Sequence, residues 1–200
     1  VQDAVDKLRG PEGTVVNIGI QRFGVDEVLP YAITRAIIPV ESVPYHFVLG
    51  DDIGYIRCTN FGERTAEELR AAIVSLEGQG IKGLILDLRN NPGGLLESAK
   101  DVSDLFLEAG QIIVSTRGRD GRRLQEIYAT GGERFAQDYP LVVMINEGSA
   151  SASEIVAGAV QDWDRGLVVG RSSFGKGSVQ SIFSVSETEA LKLTTAKYYT

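Results

Sequence analysis

Two short segments rich in glycine and serine contain the residues best suited to chemistry. Ser151 follows the apolar run 141–145, at the point where a helix is predicted to begin, and Lys176 stands between two glycines after the apolar run 167–169. The positive end of a helix favours a developing anion, so a serine placed there can act as a nucleophile. A lysine between apolar segments is disfavoured in its charged form and can accept the proton of a serine. The pair predicts a nucleophilic serine with a lysine base.

Both residues also have an ordinary structural interpretation. Ser151 and Glu154 satisfy the S-x-x-E pattern of a capping box, in which the serine would only begin the helix. Lys176 could be an exposed turn lysine, the commonest position for this residue type. These two alternatives stay open.

The segment 170–178 also comes close to the phosphate-binding pattern G-x-x-x-x-G-K-[ST]. However, Gly177 stands where a hydroxyl should hold magnesium, and Ser178 comes one residue late. A strand pattern follows instead of a helix, so the amides and dipole that bind phosphate would be missing. We reject a nucleotide-binding loop.

A third glycine-rich segment, 87–94, follows an apolar strand pattern and precedes a predicted helix. At the carboxyl end of a parallel strand, such a turn can direct backbone N–H groups at an anion, although an ordinary strand-to-helix connection would look the same. The chain has a single histidine, His46, in a predicted extended segment where a structural role is expected. Any histidine-dependent mechanism must use this residue, which makes lysine a serious candidate for the base.

The elements that must position these segments alternate between strands and helices from residue 54 onward. This alternation predicts βαβ units around a largely parallel sheet, which is an α/β fold. The polar, glycine-rich stretch 117–138 is predicted to be a hairpin or surface loop. The predicted helices are 1–8, 65–76, 95–107 and 151–162, and the predicted strands or extended stretches are 14–20, 28–40, 55–58, 83–88, 111–116, 141–145, 167–170, 179–185 and 190–199.

Composition narrows the class of protein. Two hundred residues suffice for one domain with a core and part of a second. The net charge of −7 argues against nucleic acid as the main partner, because nucleic acid rewards a basic surface. Cys58 is the only cysteine, so neither a disulfide framework nor a cysteine metal cluster is expected. No apolar run approaches a membrane span, and any export signal would have to lie outside this chain.

In combination, these motifs resemble the C-terminal processing peptidases, also called tail-specific proteases, which are the Ser–Lys serine peptidases of family S41. The matching segments are 87–94, 146–155, 161–162, 168–170 and 174–180. The resemblance implies a ClpP/crotonase-like core of βαβ units carrying the C-terminal remnant of a PDZ domain. The implied organisation is a partial PDZ domain (trailing helix and last strand) over 1–21, connecting strands over 22–52, and a C-terminally truncated peptidase core over 53–200.

By the same resemblance, Ser151 is the nucleophile and Lys176 is the general base. Gln180 matches a residue that orients the lysine in several members, and a spacing of four along a strand would put both side chains on one face. Asp162 matches an aspartate that matters in some members. It lies a helix length from Ser151, so we expect it to have a structural role or to act through a residue that contacts the reacting groups.

The implied oxyanion hole consists of the N–H groups of Ala152 and Gly94, with Gly93 as the near alternative. The expected substrates are polypeptides with exposed apolar C-terminal tails, with no cofactor, no metal and no nucleic acid. The expected location is extracytoplasmic (periplasm, cell envelope or thylakoid lumen), while a homo-oligomer or an adaptor protein is left open. The alternatives are a crotonase-type acyl-CoA enzyme and a non-catalytic peptide-binding scaffold.

Overall fold

The computed structural model describes residues 2–37, 41–137, 139–186 and 189–200. The chain divides into two compact units, Val1–Val40 and Glu41–Thr200.

The first unit consists of a short helix and a two-stranded antiparallel sheet. Helix α1 (Gln2–Leu8) and strand β1 (Val15–Ile20) lie where the sequence predicts them, and β2 (Leu29–Thr34) pairs with β1. Arg35, directly after β2, connects the sheet to α1, because its Nε donates to the carbonyl oxygen of Leu8 at 2.8 Å. The division at residues 40 and 41 differs from the expected boundaries at 21 and 52, because β2 pairs within this unit. The assignment of this unit to a PDZ domain stays a prediction.

The second unit contains the α/β core that the sequence predicts. Four parallel strands and one antiparallel edge strand form a sheet in the order β3-β4-β5-β8-β9. Three helices connect or flank these strands, which confirms the expected βαβ arrangement. The strands are β3 (Tyr45–Leu49), β4 (Ile53–Arg57), β5 (Gly83–Asp87), β8 (Leu141–Ile145) and β9 (Leu167–Gly170), and the helices are α2 (Thr65–Glu77), α3 (Leu96–Asp104) and α4 (Ala152–Asp162).

The core of this unit lies between one face of the sheet and the helices. Ile56, Leu86 and Val143 are paired across the three central strands, and each is fully buried. Helix α2 presents Leu69 and Ile73, four residues apart and both fully buried, to this core. Since the hydrophobic stripe follows the helical period, the sequence pattern was sufficient to place this helix.

The prediction of a largely parallel sheet is wrong for the remaining strands. They form a separate antiparallel sheet in the order β10-β11-β6-β7. The local pattern of a strand does not encode its sheet. Strand β7 lies within the stretch 117–138 that was predicted to be a hairpin or loop, and it pairs with β6, which lies where a strand was predicted. These strands are β6 (Ile112–Arg117), β7 (Arg123–Tyr128), β10 (Ser178–Ser184) and β11 (Ala190–Tyr199).

Within the described ranges, every helix is too short or too polar to cross a bilayer.

Candidate active site

The candidate site is assembled where β5 and β8 end, because the turns that follow these two parallel strands pack against each other. The hydroxyl of Ser149, in the turn after β8, donates to the carbonyl oxygen of Leu88 at 2.8 Å. The N–H of Ala150 donates to the carbonyl oxygen of Asn91 at 3.0 Å. These bonds fix the turn before α4 against the segment 88–94.

Ser151 occupies a strained position at the start of α4. Its φ of 56° and ψ of −112° are unusual for any residue other than glycine. The Glu154 carboxylate accepts the Ser151 N–H at 2.7 Å, so the glutamate half of the predicted capping box is formed. Backbone strain of this kind costs on the order of 1–3 kcal/mol and is concentrated at functional sites. An N-cap role alone would not require it.

Lys176 and Ser151 line the same cavity, which has a volume of about 360 Å³. Lys176 is exposed, and its amine forms no ion pair with any described residue. The expectation that the flanking apolar segments bury this lysine is therefore wrong, because the loop between β9 and β10 lies open. The lining residues are Val114, Ser151, Glu154, Ile155, Gly175, Lys176, Gly177, Tyr198, Tyr199 and Thr200.

Glu154 connects the serine to the lysine loop. Its Oε2 accepts the N–H groups of Ser151 at 2.7 Å and of Lys176 at 2.9 Å. Its Oε1 accepts the Ser173 hydroxyl and the Gly175 N–H, each at 2.7 Å. The capping pattern revealed the first of these bonds, but nothing in the sequence indicated that the same carboxylate would hold the lysine loop 19 to 22 residues away.

The ionisation of Glu154 follows from the same contacts. Burial by itself would raise the pKa of this carboxyl group, but the hydrogen bonds from Ser173, Ser151, Gly175 and Lys176 outweigh burial and lower it. Glu154 is therefore a carboxylate at neutral pH, and its charge strengthens all four bonds.

Two backbone N–H groups beside Ser151 have no hydrogen-bond acceptor among the described residues. They belong to Ala152, the first residue of α4, and to Gly94. The Gly93 N–H differs, since it donates to Oδ1 of Asn91 at 2.9 Å. Of the two expected glycine donors, Gly94 is therefore the one left available for a ligand.

Gly93 packs directly against the backbone of the serine turn. A Cβ atom added to Gly93 would lie 2.6 Å from the carbonyl oxygen of Ala150 and 2.8 Å from Cβ of Ser151. We expect Gly93→Ala to lower the free energy of unfolding by roughly 3–5 kcal/mol, since overpacking adds to the strain of a positive φ. The control is Gly80→Ala, which has a similar φ of +80° but nothing within 4 Å of the added atom, and should cost only about 1–2 kcal/mol. Urea unfolding measures both, and equal losses would refute the close packing of Gly93.

An ion cluster around the buried carboxylate of Asp87 lies at the start of the segment 88–94. Asp87 is 1% exposed and binds Arg57 at 2.8 Å and Arg89 at 2.7 Å, while the Tyr55 hydroxyl donates to it at 2.7 Å. Burial would raise the pKa of Asp87, but the bonds from Arg89 and Tyr55 dominate and lower it to about 2. No role was predicted for these side chains, although an Asp-Leu-Arg sequence at the end of an apolar strand was a usable signal.

The remaining predicted residues lie outside the cavity lining. Lys176 precedes β10 and a register shift falls between Val179 and Gln180, so the reasoning that put Lys176 and Gln180 on one strand face is wrong. Asp162 is exposed at the last turn of α4, and eleven helical residues separate it from Ser151 by about 16 Å. His46 lies on β3. Roles for Gln180 and Asp162 stay predictions.

Comparison with known proteins identifies relatives over the whole chain. The model of peptidase family S41 matches residues 52–200. A carboxy-terminal-processing protease of Bartonella bacilliformis is 49% identical over 204 residues, covering 100% of this chain and 46% of that protein. The carboxy-terminal processing protease CtpA of Bacillus subtilis is 42% identical over 200 residues, covering 100% of this chain and 42% of that protein.

A solved structure agrees with these sequence matches. The photosystem II D1 C-terminal processing protease superposes with a TM-score of 0.74 at 30% identity, covering 99% of this chain and 54% of that one. The chain spans less than half the length of the two bacterial relatives. The resemblance drawn from the sequence motifs is confirmed, and the chain belongs to peptidase family S41.

Proposed function

We propose that this chain is the catalytic part of a serine peptidase that cleaves polypeptides near their C-terminus with a Ser151–Lys176 dyad. The observation that carries the proposal is the shared cavity in which Lys176, the strained Ser151 and the Glu154 link all meet. The names of the relatives, which are C-terminal processing proteases, support the reaction class. They favour it over the acyl-CoA enzyme and the non-catalytic scaffold.

In the proposed mechanism, neutral Lys176 removes the proton of the Ser151 hydroxyl as Oγ attacks the peptide carbonyl carbon. The oxyanion accepts hydrogen bonds from the N–H groups of Ala152 and Gly94, which is where such donors stabilise the transition state most. Lys176 then returns the proton to the leaving amine, and an acyl-enzyme ester remains. Water, activated by the same amine, hydrolyses the ester and restores Ser151.

The open lysine has a consequence for this mechanism. A general base must be in its neutral form, and withdrawal of an amine from water favours that form. We propose that a bound polypeptide covers the cavity and withdraws Lys176 from water. Gln180 would then orient the lysine only after a change in the loop between β9 and β10, because it does not line the cavity here.

The wider biological setting belongs to the same proposal. We propose unfolded, apolar C-terminal tails as substrates, an extracytoplasmic location, a ClpP/crotonase-like core and a PDZ remnant in the first unit. The names of the relatives support processing at a C-terminus, and two Arabidopsis thaliana relatives named as chloroplastic support a compartment outside the cytosol for the family.

Covalent labelling tests the proposal. Incubation with a biotinylated fluorophosphonate should modify Ser151, as located by peptide mass spectrometry, and should abolish cleavage of casein. The label should compete with casein, because both require the same hydroxyl. Undiminished cleavage after complete labelling of Ser151, or labelling of a different serine with loss of cleavage, would contradict the assignment.

A further inference from the structure

We infer that the outer face of the four-stranded sheet binds a phosphate group through Arg117, Arg119 and Lys197. This site is independent of the proposed peptidase activity. It rests on how positive charge is arranged in a chain whose net charge is −7.

Three cations lie in one row across three adjacent strands. Arg117 on β6 is directly opposite Lys197 on β11 and directly opposite Arg123 on β7. Residues directly opposite on neighbouring strands share one face of the sheet, and like charges in such pairs are destabilising. A negatively charged group bound at this row would therefore relieve the repulsion between its members.

The folded chain supplies that partner to only one member of the row. Arg123 pairs with Glu126, whereas Arg117, Lys197 and the nearby Arg119 form no ion pair with any described residue. In addition, Nε of Arg117 is buried without a hydrogen-bond partner in the described part of the chain. Buried polar atoms left in this state are few in proteins, so the folded chain leaves the charge of Arg117 poorly compensated.

A cavity of about 410 Å³ is lined by Arg117, Arg119 and Lys197, and its described lining contains no acidic residue. The Arg117 guanidinium lies 4.4 Å above the Tyr199 ring, which holds it in place without neutralising it. The nearest turn contributes Asp120, but that carboxylate is engaged by Arg122 at 3.1 Å. The cavity is thus a concave surface with three uncompensated positive charges.

The site is distinct from the candidate active site. Side chains alternate between the two faces of a strand, so Lys197 projects away from the face that bears Tyr198. Tyr199 lines both cavities. Tyr198 packs against the core and lines the cavity of Ser151. A ligand at Lys197 therefore occupies the opposite face of β11.

The number of positive charges indicates the class of ligand. A carboxylate carries one charge, whereas a phosphate group carries up to two and has at least three oxygens for Arg, Lys and hydroxyl donors. Thr194, which lies on the same face of β11 as Lys197, supplies such a hydroxyl. Two sources share this chemistry, a free phosphate compound and the headgroup of an anionic phospholipid, and the experiment separates them.

The test uses inorganic phosphate by calorimetric titration, and sedimentation with vesicles of phosphatidylglycerol or of phosphatidylcholine. The parent chain should bind inorganic phosphate, phosphatidylglycerol vesicles, or both, and should leave phosphatidylcholine in solution. Binding only to vesicles identifies a lipid headgroup, and binding only to free phosphate identifies a soluble ligand. Because the chain is acidic, attraction to an anionic vesicle cannot come from its overall charge.

The variant Arg119→Gln/Lys197→Gln should weaken the observed binding at least about ten-fold, as expected for the loss of two charge-assisted contacts. Both residues are exposed, and each single variant provides a check if the double variant folds poorly. Lys192→Gln is the matched control, since it removes the same charge from the same strand at a residue outside the cavity lining. Absence of binding to either probe, or equal weakening by Lys192→Gln, would overturn the inference.

Discussion

Replacing Ser151 with alanine is expected to lower kcat/KM for an unfolded polypeptide by about 10⁴-fold or more, because it removes the hydroxyl that forms the proposed acyl-enzyme. Lys176→Met should cause a loss of similar size, since it removes the one amine among the described lining residues. The double variant should be no worse than either single variant. Groups that act as one unit show this failure of additivity.

A casein digest followed over time measures these losses. Ser172→Ala is the matched control, because Ser172 is an exposed serine in the same loop as Lys176 and lies outside the cavity lining. The control should retain the parent rate. If Ser151→Ala and Lys176→Met each reduce activity and their effects multiply in the double variant, the two residues act separately and the dyad is refuted.

The α/β core was predictable from sequence because its signals are local. The helix pattern of α2 and the apolar runs of β5 and β8 each predict one element. Alternating strands and helices imply βαβ units, in which the helix lies in the crossover between two parallel strands. The glycine-rich segments at the ends of β5 and β8 could therefore be placed at one edge of one sheet. The proximity of Ser151 to Gly93 and Gly94, by contrast, was implied only by the family resemblance.

The features that the sequence did not reveal depend on contacts between distant segments. Strands β10 and β11 have ordinary strand patterns, and only tertiary pairing puts β11 beside β6 in a second sheet. The four bonds of Glu154 join α4 to a loop that periodicity cannot locate. Exposure of Lys176 is likewise set by how that loop folds back, so apolar neighbours in the sequence were a poor guide to burial.

Glu154→Gln is expected to lower kcat/KM by about 10²-fold while the protein stays folded. An amide keeps one acceptor oxygen but loses the charge, so it cannot satisfy both the pair of donors at Oε1 and the pair at Oε2. The loop that carries Lys176 would then shift relative to Ser151. A misplacement of about 1 Å between reacting groups costs on the order of 10²-fold in rate.

The control for Glu154→Gln is Glu68→Gln, at a carboxylate that also accepts two backbone N–H groups, those of Ser42 at 2.7 Å and Val43 at 3.0 Å, but lies outside the cavity lining. Glu68→Gln should lower stability without lowering the rate of the folded enzyme. Since the pKa of Glu154 is lowered on folding, its contribution to stability is complete above its ordinary pKa and disappears as the pH falls through the folded value. The stability difference between the parent and Glu154→Gln should therefore shrink on acidification. A difference that is constant down to pH values where carboxylates protonate, together with an unchanged rate, would show that Glu154 does not hold the lysine loop.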